Sequence, residues 1–384
     1  MRSIGRVGVC GFCGLAPLAD FPTRPSLRSG HPPHEGRDDG RGATPPVWSS
    51  DPASPRMPTK SKPIAKVLVI KLGGVGEWVL AFPAFERIRQ AHPKAKITLL
   101  TTQPFAALAA SSPFFNHVDP DGAPKDPASW TALILRLRRA AYDRVYDLQT
   151  DASSNLIFQS LRPFPPPWSG VAAGCALPHR NRDRMKMHPL ERQAEQLQAA
   201  GIWDDAPTRP WSAWPPDIAW ILARSAQPRS ITVAGGHRPL AILAPGSPQN
   251  ELFRRWPIDK YAELARRLGE AGFDIVVIGG LGDSGLAHTV QRQAPRARDL
   301  TGRTDLVQIA ALGARAAIAI GNDLGPLHLI AAAGAPTIAV FATDDDPAVS
   351  APRGHVTVLH APTLKDLQAA SVAQTAVALA RAPS

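Results

Sequence analysis

The octet Gly321-Asn322-Asp323-Leu324-Gly325-Pro326-Leu327-His328 constrains this chain most, because two apolar runs flank it. Ala316 to Ile320 reads as a buried strand. Leu329 to Ala333 is helix-friendly, and Gly334 closes it. The octet is therefore a strand-to-helix turn. Pro326 suits the first turn of a helix, where its missing N–H costs nothing. Free backbone N–H groups and the helix dipole at such a turn attract anions. A phosphorylated ligand is the leading expectation.

Strand runs and amphipathic segments alternate twice. In the first half, strands are expected at 66–70, 97–101 and 145–148, with helices up to 91, over 129–141 and over 188–200. The stretch 160–182 is Pro-rich and reads as irregular. A tryptophan- and proline-rich connection over 203–220 leads to a second alternation. It has strands at 240–243, 273–278, 315–320 and 336–341, and helices at 258–271, 283–293, 304–313 and 326–333. This pattern predicts parallel sheets flanked by helices. The expected organisation is a disordered extension over 1–62, a first Rossmann-like domain over 63–220 and a second over 221–362. A C-terminal helix over 363–384 would pack back toward the first domain, and a cleft would separate the two domains. Met57 stands just ahead of the first strand and is a candidate start of translation.

Composition narrows the partners. A formal net charge of +11 points to nucleic acid, an anionic membrane or a phosphorylated substrate. The arginines are scattered and no nucleic-acid motif is present, so nucleic acid is not expected. The three cysteines, Cys10, Cys13 and Cys175, lack the partners of a zinc or thioredoxin-like site and read as incidental. No apolar run reaches the roughly 18 residues of a membrane-crossing helix.

Four constellations carry candidate chemistry. Lys71-Leu72-Gly73-Gly74-Val75-Gly76-Glu77 follows a strand and opens a helix, so a ligand can approach Gly73 and Gly74 closely. It matches neither a dinucleotide fingerprint nor a P-loop. Glu77 is either a reactive carboxylate or a helix-start charge. Arg254-Arg255 precede a helix that opens at Pro257, a candidate phosphate clamp. Asp283, after Gly279-Gly280, is placed to meet a ribose or to cap the next helix. The fourth is the octet, with Asp323, Leu324, Gly325 and His328.

Together these resemble glycosyltransferase family 9, the bacterial heptosyltransferases, over about residues 66–360. The matching segments are Val69-Ile70-Lys71-Leu72-Gly73 to Pro83-Ala84; Tyr142-Asp143 with Asp147-Leu148-Gln149; His188-Pro189-Leu190-Glu191-Arg192; Arg255-Trp256-Pro257 with Tyr261-Ala262-Glu263-Leu264; Asp299-Leu300-Thr301-Gly302; the octet; and Asp346-Pro347. The resemblance implies a GT-B fold, α/β with two Rossmann-like domains facing a central cleft. It implies inverting, metal-independent transfer of a heptose or similar sugar from an ADP-sugar to a lipopolysaccharide core acceptor. The ADP-sugar is then a co-substrate and no cofactor is needed. The implied partners are the nucleotide sugar, a lipid-linked phosphorylated saccharide and the anionic inner membrane. The implied place is the cytoplasm, peripheral at the inner face of that membrane. Glu77 stands where the family has an aspartate base. Gly73, Gly74, Arg254, Arg255, Asp283, Asp323, Leu324, Gly325 and His328 fall to the donor. The chain departs from the family at Glu77, at Leu324 (often Ser or Thr) and across 341–347. These departures motivate an alternative, a catalytically silent relative that binds a nucleotide sugar or assists a partner.

Overall fold

The computed structural model describes residues 63–203, 216–225, 238–247, 255–322, 325–342 and 346–382. The expected disorder of residues 1–62, with Cys10, Cys13 and Met57, lies outside them.

In the first half six strands form one parallel sheet: β1 (Lys66–Ile70), β2 (Lys96–Leu100), β3 (His117–Asp119), β4 (Arg144–Asp147), β5 (Trp168–Gly170) and β6 (Leu177–Pro178). Their order is β3-β2-β1-β4-β5-β6. The helices are α1 (Val75–Val79), α2 (Phe82–Ala91), α3 (Gln103–Ala110), α4 (Pro127–Ala140), α5 (Ala152–Ser160) and α6 (Pro189–Ala199). After α7 (Ala219–Ser225), a second parallel sheet holds β7 (Leu240–Ala244), β8 (Asp274–Val277), β9 (Arg298–Asp299), β10 (Ala316–Asn322), β11 (Thr337–Ala342) and β12 (Val356–Ala361). Read from its β9 edge, the order is β9-β8-β7-β10-β11-β12, the same winding repeated. Its helices are α8 (Ile258–Glu270), α9 (Ser284–Gln293), α10 (Leu306–Gly313), α11 (Gly325–Ala332), α12 (Pro347–Ser350) and α13 (Ala369–Arg381).

Strand residues alternate between two apolar layers, as a two-residue period requires. On β1, Val67 and Val69 enter an inner cluster, while Leu68 and Ile70 enter an outer one under α4 and α5. On β7, Leu240 and Ile242 face the inner cluster, and Ala241 and Leu243 face an outer layer with α8 and α13. The inner cluster draws on both halves: Trp78 and Phe82 join Leu327, Leu329 and Phe341. Trp220, from the tryptophan-rich connection, meets Phe82 at 5.4 Å and Phe114 at 5.7 Å edge-on. Trp211 and Trp214 lie outside the described residues.

The alternating strands and helices expected from sequence are present, with differences at the margins. The stretch read as irregular carries β5 and β6, and β3, β9 and β12 were not expected. All but β12 are two- or three-residue strands, too short for a visible period. The expected boundary at 220/221 falls inside α7. The C-terminal helix does not return toward the first half. Its small apolar stripe, Ala369, Val372, Ala373 and Ala376, is buried in the layer that holds Leu264 and Leu268 of α8. Trp256 Nε1 donates to Leu367 O at 3.1 Å and Lys260 Nζ to Gln368 Oε1 at 2.8 Å, which fixes where that helix starts.

Candidate active site

In a doubly wound sheet, ligands bind beyond the carboxyl ends of the strands where the winding reverses. Here those points are β1/β4 and β7/β10, and the sequence motifs sit at both.

At the first point, Lys71 follows β1 and is 1% exposed. Its N–H donates to Leu100 O at 3.0 Å, so its backbone continues the sheet. The chain then turns through Gly74, whose φ of 76° is left-handed and suits glycine. Leu72 N–H donates to Gln149 Oε1 at 2.9 Å, and Thr102 Oγ1 donates to Leu72 O at 2.8 Å, bracing the turn from β4 and β2. A Cβ on Gly73 would meet nothing within 4 Å, so open space lies beside it. Glu77 falls in the first turn of α1. Its Oε2 accepts from Lys71 Nζ at 2.7 Å, and its side chain remains 48% exposed. A Cβ on Gly74 would lie 3.5 Å from Glu77 Cβ and Cγ, so the carboxylate stem rests over the glycine. Arg192 of α6 is near enough for Glu77 to support its charge, against burial that lowers the guanidinium pKa. The carboxylate thus has two cations within electrostatic reach and remains open to solvent.

At the second point, Asn322 ends β10, 1% exposed. Its Oδ1 accepts from Trp256 N–H at 3.0 Å and from Tyr261 Oη at 3.1 Å. Its Nδ2 donates to Pro245 O at 3.2 Å and Gly246 O at 2.8 Å. One side chain therefore ties β10 to the loop after β7 and to the start of α8. Arg255 stands beside that loop, its Nε donating to Ser247 Oγ at 3.1 Å. Asp283 does not cap α9: its Oδ2 instead accepts from Gly280 N–H at 2.9 Å. The carboxylate covers Gly246 and Gly279, where a Cβ would come within 2.8 and 2.7 Å of Oδ2. It packs the loop after β7 against the loop after β8. Asp346 Oδ1 accepts from Ala348 N–H at 2.9 Å and caps α12. Arg254, Asp323, Leu324, Asp344 and Asp345 lie outside the described residues.

The two points meet across α1 and α11. A Cβ on Gly325 would sit 2.6 Å from Val75 Cβ and 2.8 Å from Gly76 N. A Cβ on Gly76 would sit 2.8 Å from His328 Cδ2. Backbone therefore touches backbone here, and the buried His328 ring packs against α1. Beside it, His188 Nδ1 accepts from Leu190 N–H at 3.3 Å, capping α6, and Nε2 bonds Ala351 O at 3.1 Å. Only a neutral ring with its proton on Nε2 makes both bonds. Burial, with Arg353 nearby, pushes the His188 pKa down to about 3. Arg353 reaches Glu191 at 3.5 Å along the same seam.

Beyond β4 lies a polar floor. Asp147 is fully buried, and its Oδ1 accepts from Gln149 and Thr150 N–H groups at 3.1 and 2.9 Å. Burial raises its pKa to about 6. Thr150 Oγ1 accepts from Arg184 Nη2 at 2.6 Å. Burial and the neighbouring Arg192 both lower the Arg184 pKa. Cys175 is buried, which raises its thiol pKa.

Of the residues named from sequence, Gly74, Glu77, Gly325 and His328 converge on one seam. Gly73 lies on its rim, and Arg255 and Asp283 belong to the loops beyond β7 and β8. Lys71, Asn322, Arg184 and Arg192 were not singled out. Lys71 and Asn322 had one available signal: each is a polar residue closing an apolar strand run.

Comparison with known proteins agrees with this arrangement. The model of Glycosyltransferase family 9 (heptosyltransferase) matches residues 130–374, well over half of the chain. Lipopolysaccharide heptosyltransferase 2 of Escherichia coli is 26% identical over 306 residues, covering 72% of this chain and 82% of that protein. Lipopolysaccharide heptosyltransferase 3 of the same organism is 24% identical, covering 70% and 80%. Among solved structures, the E. coli ADP-heptose heptosyltransferase II superimposes with a TM-score of 0.65 at 22% identity, covering 82% of this chain and 98% of that one. E. coli heptosyltransferase WaaC with ADP gives 0.63 at 21%, covering 82% and 99%. Two parallel six-stranded sheets of matching order in such company make the fold GT-B. The chain belongs to glycosyltransferase family 9 and is a glycosyltransferase.

Proposed function

We propose that the enzyme moves a heptose, or a similar sugar, from an ADP-sugar to a lipopolysaccharide core acceptor, with inversion and without a metal. The observation that carries this reading is the Glu77 carboxylate, half exposed beside the α1–α11 seam and fixed by a buried ammonium at 2.7 Å. An inverting transfer needs a base for the acceptor hydroxyl and charge stabilisation for the departing diphosphate. Glu77 takes the hydroxyl proton, and the acceptor oxygen attacks the anomeric carbon from the face opposite the ADP. The bond from that carbon to the diphosphate oxygen breaks, and its electron pair leaves with ADP. The N-terminal N–H groups of α11 and the guanidiniums of Arg254 and Arg255 would receive the diphosphate charge. Gly73, Gly74, Asp283, Asp323, Leu324, Gly325 and His328 complete the donor side. Arg184 and Arg192, half-buried beyond β4, suit anionic groups of a phosphorylated acceptor. A lipid-linked acceptor would put the enzyme at the inner face of the inner membrane. Among the described residues no helix is long and apolar enough to cross a membrane.

The test is transfer from ADP-heptose by wild type and Glu77→Gln, with donor affinity measured by calorimetry in parallel. The expected result is a fall in kcat of roughly 10²–10⁴-fold with donor affinity retained, and activity indifferent to a chelator. Donor binding without any transfer by wild type would identify a silent relative instead. Transfer that survives in Glu77→Gln would remove Glu77 as base.

A further inference from the structure

Three of the six large apolar side chains that stand exposed among the described residues gather on one face of the first half: Leu135 of α4 (43%), Leu156 of α5 (54%) and Phe164 (90%). The two helices share the outer apolar layer, Leu133 and Leu137 with Ile157 and Leu161. Arg138 Nη2 ties their ends, donating to Ser160 O at 2.8 Å and Arg162 O at 3.1 Å. Leu135 lies three residues before Arg138, and Leu156 four before Ser160. At about 1.5 Å rise per residue the two leucines are level on neighbouring helices. Phe164 follows in a loop stiffened by Pro163 and Pro165 to Pro167. Its base is anchored: Arg162 Nη2 donates to Ala173 O at 2.9 Å, and the guanidinium lies 5.7 Å from the Phe158 ring centroid.

Apart from the capping carboxylates Asp126 and Asp151 at the helix starts, the charge on this face is positive. Arg138, Arg139 and Arg162 are exposed. Between 128 and 168 the acids are spent elsewhere: Asp143 on the N–H groups of Ala65 and Lys66, Asp147 in the interior, Asp151 as the cap of α5. An exposed aromatic on a rigid loop, level aliphatics and uncompensated guanidiniums are what an anionic bilayer surface selects: apolar tips enter the headgroup boundary and arginines meet lipid phosphates. A second copy of the chain fits poorly, because a two-fold contact would set these cations against themselves.

We infer that the α4–α5 face, with Phe164 at its tip, docks the enzyme on anionic phospholipid. The inference deepens the transfer reading, on which the need for a lipid surface rests, but its assay uses neither donor nor acceptor. The full chain is sedimented with phosphatidylcholine vesicles with and without phosphatidylglycerol, at low and high salt. Wild type is expected to bind the anionic vesicles and to release with salt. Phe164→Glu should lose at least about tenfold in vesicle affinity, from the lost burial of one aromatic side chain. Arg139→Glu should lose severalfold. Val358→Glu, the same kind of change at an exposed apolar residue of the second half, should bind as wild type. Transfer to a water-soluble, delipidated acceptor should be unchanged in all three. Equal binding to neutral vesicles, or undiminished binding by Phe164→Glu, overturns the inference. So does a lipid-free shift from dimer to monomer in Phe164→Glu, which would assign the face to a second copy.

Discussion

A glutamate side chain has three rotatable bonds, and a carboxylate that must meet one hydroxyl cannot use that freedom. Lys71 removes it. The lysine stem is buried, so its ammonium is a fixed point, and Glu77 is held to it at 2.7 Å. In the proposed transfer Lys71 is thus a positioning residue that acts through Glu77. Lys71→Met is expected to lower kcat at least tenfold with the donor KM within about threefold, since an ångström of misplacement costs about 10²-fold. In the Glu77→Gln background the same change should add nothing, because residues acting as a unit are non-additive. Steady-state kinetics of both singles and the double variant check this. A further tenfold loss in the double variant would mean that Lys71 supports the turn rather than the carboxylate. Glu77 was legible in the sequence as a charge at a helix start. Lys71 was not, because the pairing depends on Gly74 reversing the chain over a buried ammonium. Asn322 hid in the same way: its four partners come from 245, 246, 256 and 261, and no local pattern announces them.

At the scale of elements, α1 and α11 meet through glycines, which makes that contact intolerant of a single methyl group. Gly325→Ala would bring its Cβ within 2.8 Å of the Gly76 backbone nitrogen. A loss of about 1–3 kcal/mol in stability is expected, with a parallel fall in kcat as the helices separate. Gly73→Ala, with nothing within 4 Å of the new methyl, should stay within about 0.5 kcal/mol. Denaturant midpoints of the two variants distinguish a packed seam from a merely glycine-rich one. The long strands and helices were readable because buried parallel strands are continuous apolar runs and helices such as α8 are strongly one-sided. The two-residue strands β6 and β9 were not. The destination of α13 was also hidden, because an alanine-rich stripe fits closely against any smooth partner, and the hydrogen bonds around Leu367 and Gln368 choose α8.

For the whole molecule, buried histidines set the acid response. His188 has a folded pKa of about 3 against an ordinary value of 6.5. Between those values the unfolded chain binds the extra proton, so the contribution of His188 is complete above pH 6.5 and is lost as pH falls toward 3. Burial lowers the His92 and His179 pKa values as well, with the same sign. Asp147 works in the other direction: with its pKa raised from 3.8 to about 6, its stabilising share is present below 3.8 and is lost as pH rises through 6. His188→Asn keeps a capping acceptor and removes the titration. Its unfolding free energy, followed by urea titration between pH 7 and pH 4, is expected to fall less steeply than that of wild type. An equal slope would leave His188 with no part in the acid limb.

The inner apolar cluster runs without a break from Trp78 and Phe82 to Leu329 and Phe341. Two windings that repeat one strand order invite the picture of two modules joined by a hinge, each able to melt alone. A shared interior works against that picture, since neither winding can lose its inner layer without exposing the other's. Scanning calorimetry should therefore record one endotherm whose van't Hoff and calorimetric enthalpies agree.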